Sequence, residues 1–184
     1  MKLIVPLALV GLLSACASLV PSTLYQLQAL DPLTADPAAI EVMLELPPGL
    51  EVAPNSAILT LQAEGPSGKL DEGFVLVSRP IEAEETLSST DIFRLAQADI
   101  DRMKQTQAEI ARMKQADNGK TRGSLSVALG GCGVGNGPSP DARASVFIRT
   151  EPGASFLPLI KDVNVRQLIG PDLFDAIRPC NTAQ

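Results

Sequence analysis

The stretch IEVMLEL at residues 40–46 decides the fold class, because large aliphatic side chains occupy every second position along it. Its apolar face carries Ile40, Val42, Leu44 and Leu46. Its opposite face carries Glu41 and Glu45. Successive side chains of an extended chain point to opposite faces, so this period of two predicts a β-strand with one dry face. The sequence PPG at residues 47–49 ends the strand, since proline cannot donate to a backbone ladder.

Further strand-like stretches flank a long central segment of different character. Strands are predicted at residues 57–62, 74–78, 124–129, 144–150 and 156–160. A turn rich in glycine and proline at residues 65–68 separates the first two, and Pro158 confines the last to an edge. The order strand-strand-strand-helix-strand-strand argues against a parallel doubly wound sheet. We therefore predict an α+β fold: an antiparallel β-sheet or sandwich of about five strands, with one long inserted helix and a helical C-terminus.

The central segment at residues 90–116 is predicted to be the long helix. Thr90 suits the N-cap, Asp91 suits the positive helix end, and Asn118-Gly119 suits the C-terminal stop. Apolar residues recur three and four positions apart, at Phe93, Ala96, Ile100, Met103 and Ile110. At 1.5 Å per residue such a helix is roughly 40 Å long, which exceeds what a small sheet covers.

Two interpretations of this apolar stripe remain open. In the first, the helix lies on the sheet and the stripe is part of the core. In the second, the helix binds a protein partner through Phe93, Ile100, Met103 and Ile110. The stripe is narrow and poor in leucine, so a coiled coil formed by this helix alone is not expected.

The C-terminal region is predicted to contain two short helices. The first covers residues 163–169. The second begins at Pro171, a residue favoured in the first turn of a helix, and its apolar face carries Leu173, Phe174 and Ile177.

Composition limits the classes of function. The chain has a net charge of −6, no histidine, no tryptophan and a single tyrosine. An acidic chain with few aromatic side chains has no electrostatic or stacking basis for binding nucleic acid. Without histidine it lacks the commonest general base and metal ligand. We therefore expect no enzyme activity, no metal site and no cofactor.

The first sixteen residues have the organisation of an exported precursor. Lys2 supplies a positive charge, residues 3–12 are apolar, and small residues precede Cys16. The tail Leu13-Ser14-Ala15-Cys16 resembles the lipobox of bacterial lipoprotein precursors. That resemblance implies cleavage before Cys16, a diacylglycerol group on its sulfur and usually a third acyl chain on the new amino terminus. An ordinary signal peptide is the alternative. The apolar run is too short for a membrane-spanning helix, which needs about 20 residues.

The lipobox resemblance also implies a location and a domain organisation. Residues 1–15 are the signal peptide, residues 16–39 are the lipidated N-terminus and a tether, and residues 40–184 are a globular α+β domain. Two or more acyl chains hold a protein stably on a bilayer. Ala17 and Ser18 follow the cysteine, and the absence of aspartate there favours the periplasmic face of the outer membrane over the inner membrane.

Cys132 and Cys180 remain after lipidation, an even number in an oxidising compartment. We predict that they form a disulfide, with metal binding by two lone thiols as the weaker alternative. The glycine-rich loop at residues 130–140 is interpreted as flexible chain pinned by Cys132.

Function is narrowed to two hypotheses. Residues 121–126 and 141–146 loosely resemble uncharacterised proteobacterial envelope lipoproteins, a likeness that implies no activity. The first hypothesis is a non-catalytic accessory or assembly subunit that binds an envelope protein partner. The second is a small-ligand or lipid-binding module of a transport-associated lipoprotein, with a cavity between sheet and helix.

Overall fold

The computed structural model describes residues 33–79 and 90–180. In this part of the chain an antiparallel seven-stranded sheet packs against one long helix, and a two-stranded sheet and two short helices complete the fold. The strands are β1 Glu41–Glu45, β2 Leu50–Val52, β3 Ile58–Gly65, β4 Gly68–Arg79, β5 Thr90–Leu95, β6 Arg122–Ala128, β7 Gly131–Gly133, β8 Arg143–Arg149 and β9 Leu157–Asn164. The helices are α1 Ile100–Ala116, α2 Val165–Ile169 and α3 Pro171–Asp175. The predicted α+β class is confirmed, with more strands than the five expected.

Strand β1 lies inside the large sheet, whose order is β6-β3-β4-β5-β1-β8-β9. Val42 is opposite Phe93 of β5 on one side and Ile148 of β8 on the other. Ile40, Val42 and Leu44 are completely buried, and burying a large aliphatic side chain contributes about 1.5–3 kcal/mol. The predicted dry face of residues 40–46 is therefore the centre of the core.

Strand β4 is long enough to join two parts of the sheet. Its first eight residues pair with β3, and its last four, Leu76 to Arg79, pair with β5. Because the two halves of one strand have different neighbours, the sheet curls and its concave face encloses the apolar core. The predicted turn at residues 65–68 closes the β3–β4 hairpin, where Gly65 pairs with Gly68.

The predicted helix at residues 90–116 is wrong over its first ten residues. Residues 90–95 form β5, a 3₁₀ turn follows at Gln97–Asp99, and α1 begins only at Ile100. Strand β5 hydrogen-bonds to both β1 and β4, and Ile92 and Phe93, adjacent in sequence, are 2% and 8% exposed. A strand between two neighbours buries both faces in this way. Helix α1 has 17 residues and is about 26 Å long, which is shorter than the length predicted from the sequence.

Helix α1 packs on the concave face of the sheet. Its buried residues are Ile100, Met103, Thr106, Ile110 and Met113. The guanidinium of Arg102 lies 4.0 Å from the centroid of the Phe74 ring and donates to Glu72 and to the carbonyl of Gly73. These contacts fix the first turn of the helix over β4.

The tether predicted at residues 16–39 is wrong for its last residues. Leu33 is 8% exposed and belongs to the main core. It packs over Gly123 of β6, where a Cβ atom would lie 2.4 Å from a methyl carbon of Leu33. The side-chain amide of Gln107 donates to the carbonyl of Ala35 at 2.9 Å. The folded unit therefore includes residue 33. The predicted signal peptide, Cys16 and tether residues up to 32 lie outside the described residues.

The C-terminal helices pack apart from the main core. Phe174 joins Val165 and Ala142 in a second, smaller apolar cluster. Leu173 was predicted to share the buried face with Phe174, but it is 65% exposed. Helix α3 has only five residues, so only part of its surface can face the cluster. Strand β9 is an edge strand, as Pro158 predicted.

Candidate binding groove

The predicted cysteine pair is joined. Cys132 of β7 and Cys180, which follows α3, form a disulfide with Cα atoms 4.8 Å apart. The amide of Gly133 donates to the carbonyl of Arg178 at 2.8 Å, and the amide of Cys180 donates to the carbonyl of Gly133 at 2.9 Å. The bridge therefore ties the C-terminal helices to the small sheet and confirms the predicted disulfide. The predicted lipidation site, Cys16, lies outside the described residues.

The predicted partner-binding stripe is buried in this structure. Phe93 lies on β5 rather than on the helix, and Ile100, Met103 and Ile110 are between 0% and 9% exposed. Met103 and Ile110 fill the space between α1 and the sheet together with Phe93. Ile100, Met103 and Ile110 are therefore part of the core rather than a partner surface, and Phe93 is a buried strand residue. In the described part of the chain, these side chains fill the space between helix and sheet where the ligand hypothesis expected a cavity.

A groove of about 760 Å³ instead lies beside one end of the large sheet. It runs between the connection that leads from β1 through β2 and the adjoining ends of β4 and β5. This volume falls within the range of small-molecule and peptide-sized sites. Its lining combines apolar side chains, proline rings, two hydroxyl groups and two carboxylates. The lining residues are Leu46, Pro47, Pro48, Gly49, Leu50, Glu51, Val52, Ala53, Pro54, Asn55, Ala57, Leu76, Val77, Ser78, Thr90, Asp91, Phe93 and Val134.

Backbone geometry fixes the outer wall of the groove. Gly49 has φ +86°, a left-handed conformation that favours glycine, and a Cβ atom there would collide with the backbone of Gly137. The amide of Leu50 donates to the carbonyl of Pro47, and the amide of Val134 donates to the carbonyl of Gly49 at 3.0 Å. The wall is therefore held by the turn after β1 and by pairing of β2 with β7.

The groove exposes apolar surface. Val77 and Val134 are 39% and 41% exposed and both line it. The buried side chains of Leu76 and Phe93 line its inner side. Partly exposed apolar side chains gathered in a concavity are typical of binding sites.

The groove also holds two carboxylates, Glu51 and Asp91. Neither forms an ion pair or a side-chain hydrogen bond with any residue in the described part of the chain. Among the described residues that line the groove there is no lysine or arginine. A half-enclosed site with two negative charges and no counter-charge attracts cations.

Glu41 is a partly buried carboxylate with the opposite surroundings. Glu41 of β1 lies between Arg79 of β4 and Arg149 of β8, and its side chain is 13% exposed. The guanidinium of Arg149 also lies 4.5 Å from the centroid of the Phe156 ring. This cluster joins neighbouring strands across the sheet, and its charges already have partners.

The pKa of Asp117 is lowered, chiefly by a hydrogen bond from the hydroxyl of Thr121. The amide of Lys120 donates to the other carboxylate oxygen at 2.9 Å. Asp117 follows the last residue of α1, so its carboxylate organises the turn between α1 and β6. This role is structural, because both oxygens are occupied by the turn itself.

Comparisons with known proteins find no match among family models, curated proteins or solved structures. No helix within residues 33–79 and 90–180 is long and apolar enough to cross a membrane.

Sequence reasoning missed the groove, although two signals pointed toward it. Residues 46–54 contain three prolines and one glycine, a composition typical of a rigid irregular wall. Asp91, interpreted as a helix-capping charge, stands on β5 opposite Leu44. That it lines the same groove as Glu51 depends on the tertiary fold and could not be deduced from local spacing.

Proposed function

We propose that this protein is a lipid-anchored envelope lipoprotein that acts as a non-catalytic accessory or assembly subunit and binds a protein partner. The lipobox ending at Cys16 supports the anchor and a position on the periplasmic face of the outer membrane. The observation that carries the partner-binding role is the groove, where exposed Val77 and Val134 lie beside two carboxylates without a cation.

The disulfide supports the proposed compartment. Disulfides persist in secreted and periplasmic proteins and are rare in the cytosol. The bond between Cys132 and Cys180 joins residues 48 positions apart in sequence and holds the C-terminal helices in place. A chain that depends on such a bond is suited to an oxidising space.

The chemistry of the groove favours binding over catalysis. The chain has no histidine, the commonest general base, so general acid–base chemistry in the groove would depend on Glu51 and Asp91. Exposed apolar side chains, in contrast, contribute to affinity by being covered.

A second candidate function is supported by the volume of the same groove. About 760 Å³ suits a drug-sized molecule or part of a lipid, so a small-ligand or lipid-binding module of a transport-associated lipoprotein would use the same walls. The two functions differ in what co-purifies with the protein, which is a polypeptide in the first case and an extractable small molecule in the second.

Affinity purification of the lipidated protein from its own membranes tests the proposal. We expect one envelope protein to co-purify at a fixed ratio, with little of it recovered with Cys16→Ser, because that variant is not lipidated and its processing is slowed. Metabolic labelling with a radioactive fatty acid should label the wild type and leave Cys16→Ser unlabelled. Equal labelling of both would refute the anchor, and recovery of a bound lipid without any protein would favour the second function.

A further inference from the structure

We infer that the groove binds an extended segment of a protein partner that alternates basic and apolar residues. This inference rests on the proposed partner-binding function and specifies the chemistry of the partner. Its site consists of the apolar side chains Val77 and Val134, the carboxylates Glu51 and Asp91, and the backbone of β2.

The apolar part of the ligand is indicated by side chains that the fold leaves uncovered. Within the described residues, five large hydrophobic side chains are exposed, and Val77 and Val134 are two of them. The other three, Leu168, Ile169 and Leu173, lie on the C-terminal helices. Val77 and Val134 come from β4 and from the residue after β7, so the fold brings them to one concavity from distant parts of the sequence. Covering them would remove apolar surface from water.

The basic part of the ligand is indicated by charge complementarity. Elsewhere in the described residues, some carboxylates have cationic partners and others, such as Asp101 and Glu151, form no ion pair. The pairs are Glu41 with Arg79 and Arg149, Glu72 and Asp99 with Arg102, Glu109 with Arg112, Asp162 with Arg143, and Asp175 with Arg166. Glu51 and Asp91 have none, and both line the groove. A lysine or arginine side chain arriving with a ligand would neutralise them in a site that is partly shielded from water.

The backbone of β2 favours an extended peptide over a small cationic molecule. Gly49 and Ala53 exchange hydrogen bonds with the β7 side, through Val134 and Gly130. Backbone groups alternate in direction along an antiparallel strand, so Val52 directs its N–H and C=O away from β7. Those groups have no backbone partner within the described residues. A short strand with one free edge, set among pockets for alternate side chains, is the surface used in strand addition.

The chain's own segment at residues 80–89 is a poor occupant. It joins β4 to β5, and residues on both sides of it, Ser78 and Thr90, line the groove. Its sequence contains three glutamates and neither lysine nor arginine. Like charges repel, so the electrostatics of Glu51 and Asp91 oppose its insertion.

Fluorescence anisotropy with two labelled hexapeptides tests the inference. The probes are Lys-Leu-Lys-Val-Lys-Leu and Glu-Leu-Glu-Val-Glu-Leu, added to the lipidated protein in the same non-ionic detergent for every variant. We expect the basic peptide alone to bind, with a Kd that rises with salt. The Kd should rise at least tenfold in Glu51→Gln/Asp91→Asn and at least threefold in Val77→Ser/Val134→Ser.

The matched control is Asp101→Asn/Glu151→Gln, which removes the same charge from two exposed carboxylates outside the groove. Its Kd should stay within twofold of the unaltered chain, and the melting temperatures of all variants should agree. An equal loss of affinity in the control would show attraction to overall charge and overturn the inference. A version of the basic peptide with N-methyl groups on alternate residues should bind at least tenfold more weakly, because it cannot add a strand. Equal affinity would overturn the strand-addition mode.

The outcomes separate this inference from the proposed function. If a membrane partner co-purifies equally with wild type and with Glu51→Gln/Asp91→Asn, the partner-binding function stands and the groove is not its site. If no partner co-purifies but the basic peptide binds in the predicted manner, the groove stands and the accessory-subunit function fails.

Discussion

The main core under α1 and the small cluster under the C-terminal helices are stabilised in different ways. The main core draws buried apolar residues from five strands and one helix, and its central members are less than 2% exposed. The C-terminal cluster contains three buried residues, Ala142, Val165 and Phe174. Apolar burial contributes in proportion to area, so the main core is stable through packing and the smaller cluster depends on other bonds.

A covalent bond and a short backbone ladder supply the stability that apolar burial does not give the smaller cluster. The disulfide between Cys132 and Cys180 joins it to β7, and Gly133 exchanges backbone hydrogen bonds with Arg178 and Cys180. The difference implies a hierarchy of local stability, in which the C-terminal helices open before the sheet. Substitutions in the two regions test that hierarchy through their effects on the free energy of unfolding and on hydrogen exchange.

The largest effect is expected from a charge placed in the main core. Ile110→Asp should lower the free energy of unfolding by more than about 4 kcal/mol, because Ile110 is 1% exposed and a buried carboxylate has no partner there. Urea denaturation followed by circular dichroism would measure it. The adjacent exposed residue supplies the control, and Ala111→Asp should cost less than about 1 kcal/mol. Similar losses for both would mean that α1 does not pack as described.

Removal of the disulfide should have the next largest effect. The bridge joins residues 48 apart, and the chain-entropy relation gives about 4 kcal/mol as an upper estimate for Cys132→Ser/Cys180→Ser. Hydrogen exchange should accelerate first in α2 and α3, while amides of β1 and β5 keep their relative protection. Uniform acceleration in both regions would show one cooperative unit and contradict the comparison.

Sequence predicted the main core well because its strands carry a local signal. Ile40, Val42 and Leu44 repeat with a period of two, and that period survives in the folded sheet. Residues 90–95 carry a misleading local signal, because Thr90 and Asp91 resemble a helix start while Phe93 and Ile100 keep helical spacing. This segment is a strand because β1 and β4 both pair with it. Pairing with strands that are distant in sequence cannot be predicted from the residues of the segment alone.

The groove and the C-terminal cluster were less predictable for a related reason. The disulfide followed from counting cysteines, which needs no geometry. The groove needs the β1–β2 connection, the end of β4 and Val134 to meet, and these segments are far apart in sequence. Leu173 and Phe174 illustrate the remaining limit, since a five-residue helix is too short for its periodicity to show which side is covered.

Truncation of the largest residue in the C-terminal cluster should have a moderate effect. Phe174→Ala should lower the free energy of unfolding by about 3 kcal/mol, the lower end for a buried phenylalanine, because few neighbours surround it. The loss should shrink in the variant without the disulfide, where the cluster is already loosened. Full additivity of the two changes would show that the bridge and the cluster stabilise the protein independently.

A smaller, pH-dependent effect is expected at the end of α1. The lowered pKa of Asp117 means that its charged form stabilises the fold above the ordinary aspartate range, about pH 4, and that this contribution is lost as the pH falls through the lowered value. Asp117→Asn should melt below wild type at pH 7, and the gap should narrow toward pH 3. A constant gap would assign the effect to the loss of hydrogen-bond geometry alone.

The smallest effect is expected at Leu173, whose neighbour Phe174 supplies the comparison. Leu173 is 65% exposed and Phe174 is 8% exposed, although both were predicted to lie on the buried face of α3. Leu173→Ser should change the free energy of unfolding by less than about 0.5 kcal/mol, as is usual for surface substitutions. A loss above about 2 kcal/mol, measured by urea denaturation, would show that Leu173 is covered in solution. The C-terminal cluster would then be larger than described, and its dependence on the disulfide correspondingly weaker.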